Sequence, residues 1–218
     1  KLGRGLYHIV PTSADAAHYL PDWHLVAKYI MHGRDYYIGY YSAMQVHGLI
    51  TQPALKEIIV TNRQLAAASR IIQGVEFQFV THTAKRFFGY ENTWINQYEK
   101  AMVSDLEKTI VDAVSRPPLC GGMVEVGKAI YETRDKISLD KLFSYLVQNG
   151  SRAAIKRYLF ICYLLDIDWT SYHAGLMKKM GNSYPLFDPS APGEGYKDSR
   201  FGLKINVDTG TIKNAIYS

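Results

Sequence analysis

Lys100-Ala-Met-Val-Ser-Asp-Leu-Glu-Lys-Thr-Ile-Val-Asp112 is the stretch on which the fold turns. Its opening residues are short, apolar and suited to a strand. Ser104-Asp-Leu-Glu107 then matches the S-x-x-E capping box, which predicts a helix starting at Asp105. Asp105 and Glu107 in the first turn and Arg116 at the far end complement the helix dipole. Leu106, Ile110 and Ala113 form a buried stripe that Val111 and Val114 widen. Pro117-Pro118 and Gly121-Gly122 end it.

Upstream of this junction the period is that of strands. Residues 56–61, 75–82, 93–97 and 100–103 are short, partly alternating and rich in β-branched or aromatic side chains, and 70–75 adds a further segment. Downstream the pattern is helical over 124–132, 138–148 and 151–165, with Ser138 and Ser151 as caps and Gly150 between the last two. A fourth helix opens at Thr170 or Ser171 and ends in Lys178-Lys179-Met180-Gly181. The fold class is therefore α+β: a mostly antiparallel sheet of four or five strands over 56–103, flanked by a C-terminal group of helices over 105–180. Residues 185–218 read as an extended tail, with Asp208-Thr-Gly210 as a hairpin turn. Ahead of the sheet, Asp22 caps a helix that Gly33 stops, Tyr36 to Tyr41 form an extended lead-in, and Ser42 caps a short helix over 43–48.

The chain opens on Lys1-Leu-Gly-Arg-Gly-Leu-Tyr-His-Ile-Val-Pro11, a basic strand broken by glycine and closed by proline. The wing of a winged helix-turn-helix has this form, and so does any edge strand. Residues 12–20 read as a linker, and 21–218 as one domain. Hydrophobic residues make up 47% and charged residues 21% of the 218, which excludes a disordered chain. A net charge of +5 permits an acidic or nucleic-acid partner without requiring one. The longest apolar run, 158–165, is too short to span a bilayer, so no membrane partner is expected. Two cysteines outside any CxxC pair, with no signal-peptide pattern at the start, lead us to expect reduced thiols and a cytoplasmic protein.

Catalytic constellations are sparse. The seven histidines are scattered without metal-ligand spacing, so no metal is expected. Ser42 lies in Gly39-Tyr-Tyr-Ser-Ala-Met44, which is not the G-x-S-x-G elbow. Neither Gly121-Gly122 nor Gly193-Glu-Gly195 leads from a strand into a helix, as a phosphate cradle needs, so no cofactor is expected. A metal-dependent nuclease would gather two carboxylates and a lysine. Glu76 is followed by Gln78, Glu99-Lys100 lacks the E-x-K spacing, and Asp112 is explained by an ion pair with Lys108 or Arg116. Tyr36, Tyr37, Tyr40 and Tyr41 have apolar neighbours and fit core packing better than base stacking. Basic residues cluster at Lys85-Arg86, at Arg152 with Lys156 and Arg157, and at Lys178-Lys179. Arg152 and Lys156 share a helix face, which is either solvated or turned to an acidic partner or phosphate backbone.

Taken in order, several segments resemble the AbiEi family, the antitoxin and repressor half of AbiE-type toxin–antitoxin pairs. They are 3–11, Tyr37-Ile-Gly-Tyr-Tyr-Ser-Ala-Met-Gln-Val-His-Gly-Leu49, Phe77-Gln-Phe-Val80 with Arg86-Phe-Phe-Gly89, Ser104 to Asp112, Arg116-Pro117 to Gly121-Gly122, and 152–165. Together they cover most of the chain. The resemblance implies a winged helix-turn-helix that reads operator DNA and a larger domain that counters a nucleotidyltransferase toxin. It implies that 1–11 is the end of the wing, with Lys1 and Arg4 toward DNA phosphates, and that the recognition helix lies upstream. It carries no catalytic residue. The expected function is an antitoxin and transcriptional autoregulator without catalysis, with Arg152, Lys156 and Arg157 as a basic partner-facing surface. The alternatives are a nuclease-like enzyme whose carboxylates meet only on folding, and a structural interaction module.

Overall fold

The computed structural model describes residues 22–50 and 52–216. The predicted wing and linker lie outside them. Asp22 caps α1 (Trp23–Ile30) by accepting from the His24 backbone N–H at 2.9 Å. There follow β1 (Tyr36–Ile38), α2 (Tyr40–Val46), β2 (Lys56–Thr61), β3 (Ser69–Ile72), β4 (Val75–Thr81), β5 (Tyr90–Trp94) and β6 (Lys100–Ser104). The six strands form one sheet in the order β3-β4-β2-β1-β6-β5.

The sheet is mixed, which corrects the mostly antiparallel reading of four or five strands. β3/β4, β1/β2 and β5/β6 pair antiparallel, while β2/β4 and β1/β6 run parallel. The added strand is β1, from the tyrosine run taken for a lead-in. Ile58, Ile59 and Val60 of β2 are all fully buried, as in a strand covered on both faces. Tyr37, Ile58, Val60 and Val80 face the helical layer. Tyr36, Ile38, Ile59, Phe77 and Val103 pack with Val26, Ala27 and Met31 of α1 on the other side. Beneath α1 the buried Glu57 carboxylate accepts from His24 Nδ1 at 2.9 Å.

The helical layer holds α3 (Leu106–Ser115), α4 (Met123–Thr133), α5 (Leu139–Asn149) and α6 (Arg152–Leu164). The cap of α3 is Asp105 rather than Ser104, and it accepts from the Lys108 backbone N–H at 2.8 Å. Ser104 instead ends β6 and shares a hydrogen bond with the Thr109 hydroxyl at 2.7 Å. Glu107 does not close the box, because its carboxylate accepts from the Ser138 N–H and the Lys141 ammonium, joining α3 to α5. Ser42 is likewise no cap. It lies buried inside α2, and its hydroxyl accepts from the Ile58 N–H at 2.8 Å, fixing α2 to β2.

The tail is not extended throughout. After a 3-10 turn at Thr170–Tyr172 and α7 (His173–Met177), a ribbon of β7 (Tyr196–Asp198) and β8 (Leu203–Ile205) leads to α8 (Thr209–Ile216). Asp208 accepts from the N–H groups of Gly210 and Thr211, so the predicted hairpin turn is a helix start. This segment is bound into the helical layer. Asp188 Oδ2 accepts from the Met123 N–H at 2.7 Å and serves as the N-terminal cap of α4 from a distant stretch of chain.

Two residues assigned to a basic partner-facing surface make the other ties. Lys156 is 0% and Arg157 5% exposed. The Lys156 ammonium donates to the carbonyls of Ser183 and Gly202. The Arg157 guanidinium donates to the carbonyls of Val114 and Ser115, at the C-terminus of α3, and to those of Leu186 and Phe187. A cation there complements the α3 dipole. Burial lowers the Arg157 pKa to about 10, which leaves it charged at neutral pH. The face that helical periodicity turned to solvent is covered by the tail.

Replacing Arg157 leaves four carbonyls of two segments short of a donor. Arg157→Met should lower the unfolding free energy by about 3 kcal/mol. Arg152→Met, at an exposed position, should leave the melting midpoint in place. Thermal melts of the two variants check this, and equal midpoints would contradict the assignment.

Candidate functional site

Four polar residues of the resembling segments meet in one place with His82, which lies outside those segments. Tyr37 ends up on β1, Tyr40 at the start of α2, His82 just past β4, and Lys108 and Asp112 one turn apart on α3. All five are at most 3% exposed. The Lys108 ammonium donates to Asp112 Oδ1, and the Tyr37 hydroxyl donates to Oδ2 at 2.9 Å. Tyr37 and Tyr40 hydroxyls lie 3.0 and 2.7 Å from His82 Nδ1 and Nε2.

Because the Tyr37 proton is committed to Asp112, its oxygen must accept, and His82 Nδ1 carries the ring proton. Nδ1 also lies 3.2 Å from the Arg86 carbonyl oxygen, which shares that proton. Nε2 is then the acceptor for the Tyr40 hydroxyl. Every donor in the chain Tyr40–His82–Tyr37–Asp112 has an acceptor, which requires a neutral imidazole. Burial accordingly pushes His82 down to about 4, against the opposing pull of Asp112. Burial also pushes Tyr37 and Tyr40 well above the ordinary tyrosine range, and Asp112 adds to both shifts.

Local sequence explains the placement. Phe87 and Phe88 follow the turn after β4, and the Lys108 ammonium sits 4.8 Å from the Phe88 ring centre. Tyr90 stacks on Tyr37 at 5.2 Å and 13°. Tyr40 has φ +56, a conformation that costs a non-glycine residue about 1–3 kcal/mol and persists only when its surroundings hold it. His82 is the anchor that holds it.

The ion pair of Asp112 with Lys108 was legible from their spacing, but its burial was not. Sequence reasoning missed His82 because its partners lie 42 and 45 residues away. Of the carboxylates considered for a nuclease, Glu99 accepts from Lys28 at 2.9 Å and from the Tyr29 hydroxyl at 2.8 Å. Among the described residues no three His, Cys, Asp or Glu side chains gather as a metal site requires. Cys120 and Cys162 are buried free thiols, both pushed up by burial.

Two solvent-facing hollows elsewhere are lined by cations. A cleft of about 650 Å³ opens between the end of α1 and the β2–β3 loop, lined by Arg34, Arg63 and Arg70. Its one carboxylate, Asp35, accepts from Asn62 at 2.9 Å. Arg34 is brought to Arg63 by the antiparallel pairing of β1 with β2, and Arg70 joins them from β3. A second hollow, of about 320 Å³, is lined by Arg152, Lys178 and Lys179. It unites two of the basic clusters seen in the sequence. Of the predicted contact residues, Arg152 is therefore exposed, Lys156 and Arg157 are the interior ties, and Lys1 and Arg4 lie outside the described residues.

The neutral His82 predicts a pH dependence with a definite sign. Its pKa rises from about 4 folded to 6.5 unfolded, so the unfolded chain binds the extra proton. The contribution is present above pH 6.5 and fades as pH falls toward 4, a loss of about 3 kcal/mol. Urea unfolding across this range should give a steeper decline for the wild type than for His82→Gln, and parallel profiles would refute the neutral assignment.

No family model matches the chain, and no curated protein matches it significantly. No helix among the described residues is long and apolar enough to cross a membrane. Among solved structures the chain is similar to the crystal structure of the RV2827C protein from Mycobacterium tuberculosis, with a TM-score of 0.64 and 14% identity, over 91% of this chain and 72% of that one. That likeness shows a shared α+β fold.

Proposed function

We propose that this chain acts as an antitoxin and transcriptional autoregulator of the AbiEi type, countering a nucleotidyltransferase toxin in the cytoplasm by binding rather than catalysis. The observation that carries the reading is the fate of the resembling segments. Tyr37, Tyr40, Lys108 and Asp112, their most reactive side chains, are buried and satisfy one another together with His82. Such groups specify a scaffold, whereas a general acid or nucleophile must reach its substrate. Two of its surface hollows are lined by arginine and lysine, which suits acidic partners and DNA phosphates.

Sequence-specific operator reading belongs, on this reading, to the winged helix-turn-helix that the resemblance implies. The arginine cleft lies at the far end of α1, the helix that follows the linker, where it adds contacts to the phosphate backbone. These contacts carry no sequence information.

The reading frame beside it should encode a nucleotidyltransferase whose growth arrest co-expression of this chain relieves, and failure to rescue would overturn the antitoxin reading. The chain should bind non-operator DNA with a Kd of roughly 10⁻⁴–10⁻⁶ M, falling off steeply with salt. Arg63→Glu with Arg70→Glu should reduce the slope of log K against log salt by about 2. Reproducible plasmid cleavage in Mg²⁺ or Mn²⁺ would overturn the non-catalytic part.

A further inference from the structure

The hollow at Arg152 has a composition that folding alone does not explain. Two segments line it with cations, Arg152 from the first turn of α6 and Lys178 and Lys179 from the end of α7, and a third, the 3-10 turn Ala84–Arg86, brings Lys85 to its Gly150 rim. Arg86 fixes that turn by donating to the Asn149 carbonyl at 3.2 Å, which lays Lys85 against Gly150. A side chain at Gly150 would begin 2.9 Å from the Lys85 ammonium, and one at Gly181 would begin 2.9 Å from the Arg152 guanidinium. Both glycines have left-handed φ, +72 and +62, so each is held open by backbone shape as well as by space.

Three cations thus line one depression, Lys85 stands at its Gly150 rim, and no carboxylate lines it. None of the four makes an ion pair among the described residues. Lys85 gains from the C-terminal end of α5, but Arg152 occupies the positive end of α6, where a cation is disfavoured. A polyanion seated here would meet several cations that no carboxylate of the lining neutralises. The remaining lining is aliphatic, from Val147 and Ile155, with no ring on which a base could stack. A volume of about 320 Å³ is that of a small-ligand pocket.

We propose that this hollow binds ligands carrying two or more adjacent phosphate groups, with Lys85, Arg152, Lys178 and Lys179 as donors and without base selection. The shared chemistry is the run of phosphate oxygens, supplied by a free oligophosphate or a nucleic-acid backbone. The site goes beyond the antitoxin reading and does not depend on it.

Titration calorimetry of tripolyphosphate into the 218-residue chain tests the site. Saturable binding of one equivalent is expected, weakened about tenfold or more by Arg152→Glu with Lys179→Glu. The Arg63→Glu, Arg70→Glu variant, altered in the other cleft, should bind as the wild type does. Lys85→Gln gives a milder second variant, and thermal melts confirm that each remains folded. No saturable binding, or equal weakening in both double variants, would overturn the proposal. Competition by a short oligothymidylate would identify backbone phosphates as the source, and its failure against saturable tripolyphosphate would assign the site to free oligophosphates.

Discussion

Taking an ammonium and a carboxylate out of water costs several kcal/mol per ion, and their attraction recovers this only where their remaining donors and acceptors are also met. Lys108 and Asp112 are both fully enclosed, so the surroundings must supply those partners. Tyr37 from β1 provides the hydroxyl for Asp112, and the Phe88 ring faces the ammonium. His82 connects Tyr37 to Tyr40 and holds α2 in its strained first residue. One strand, two helices and the turn after β4 are therefore fixed relative to one another by a single satisfied network. Partly satisfied, the same network would be a liability, which is why it specifies one arrangement.

The C-terminal segment depends on a second set of buried cations. Lys156 and Arg157 hold it by donating to its carbonyls, and Asp188 returns a cap to α4. These ties leave the positive charge of α6 divided between interior and surface. Only Arg152, at the uncovered end, remains available to a ligand, and it is the one that meets Lys178 and Lys179.

Much of this was readable from residue patterns. β2 and α4 to α6 follow from β-branched runs, serine caps and glycine stops, because those signals are local. β1 was not, since Tyr36 to Tyr41 carry no strict period and the parallel pairing with β6 joins residues far apart in sequence. Asp208-Thr-Gly210 was misread because an aspartate accepting from the next N–H groups serves a turn and a helix cap alike. Lys156 and Arg157 were misplaced because periodicity identifies a helix face but not what later covers it. The arginine cleft left no local signal, as Arg34 reaches Arg63 only through the pairing of β1 with β2 and Arg70 joins from β3.

The account rests on the buried network being a scaffold, with function carried by surfaces. The most direct test is a repacked interior, Tyr37→Phe with Lys108→Met and Asp112→Leu, which exchanges the ion pair for apolar groups while His82 keeps the Arg86 carbonyl. Growth rescue should persist in this variant provided its melting transition remains cooperative. Loss of rescue by a variant that melts like the wild type would show that these side chains act in the function itself, and would contradict the account.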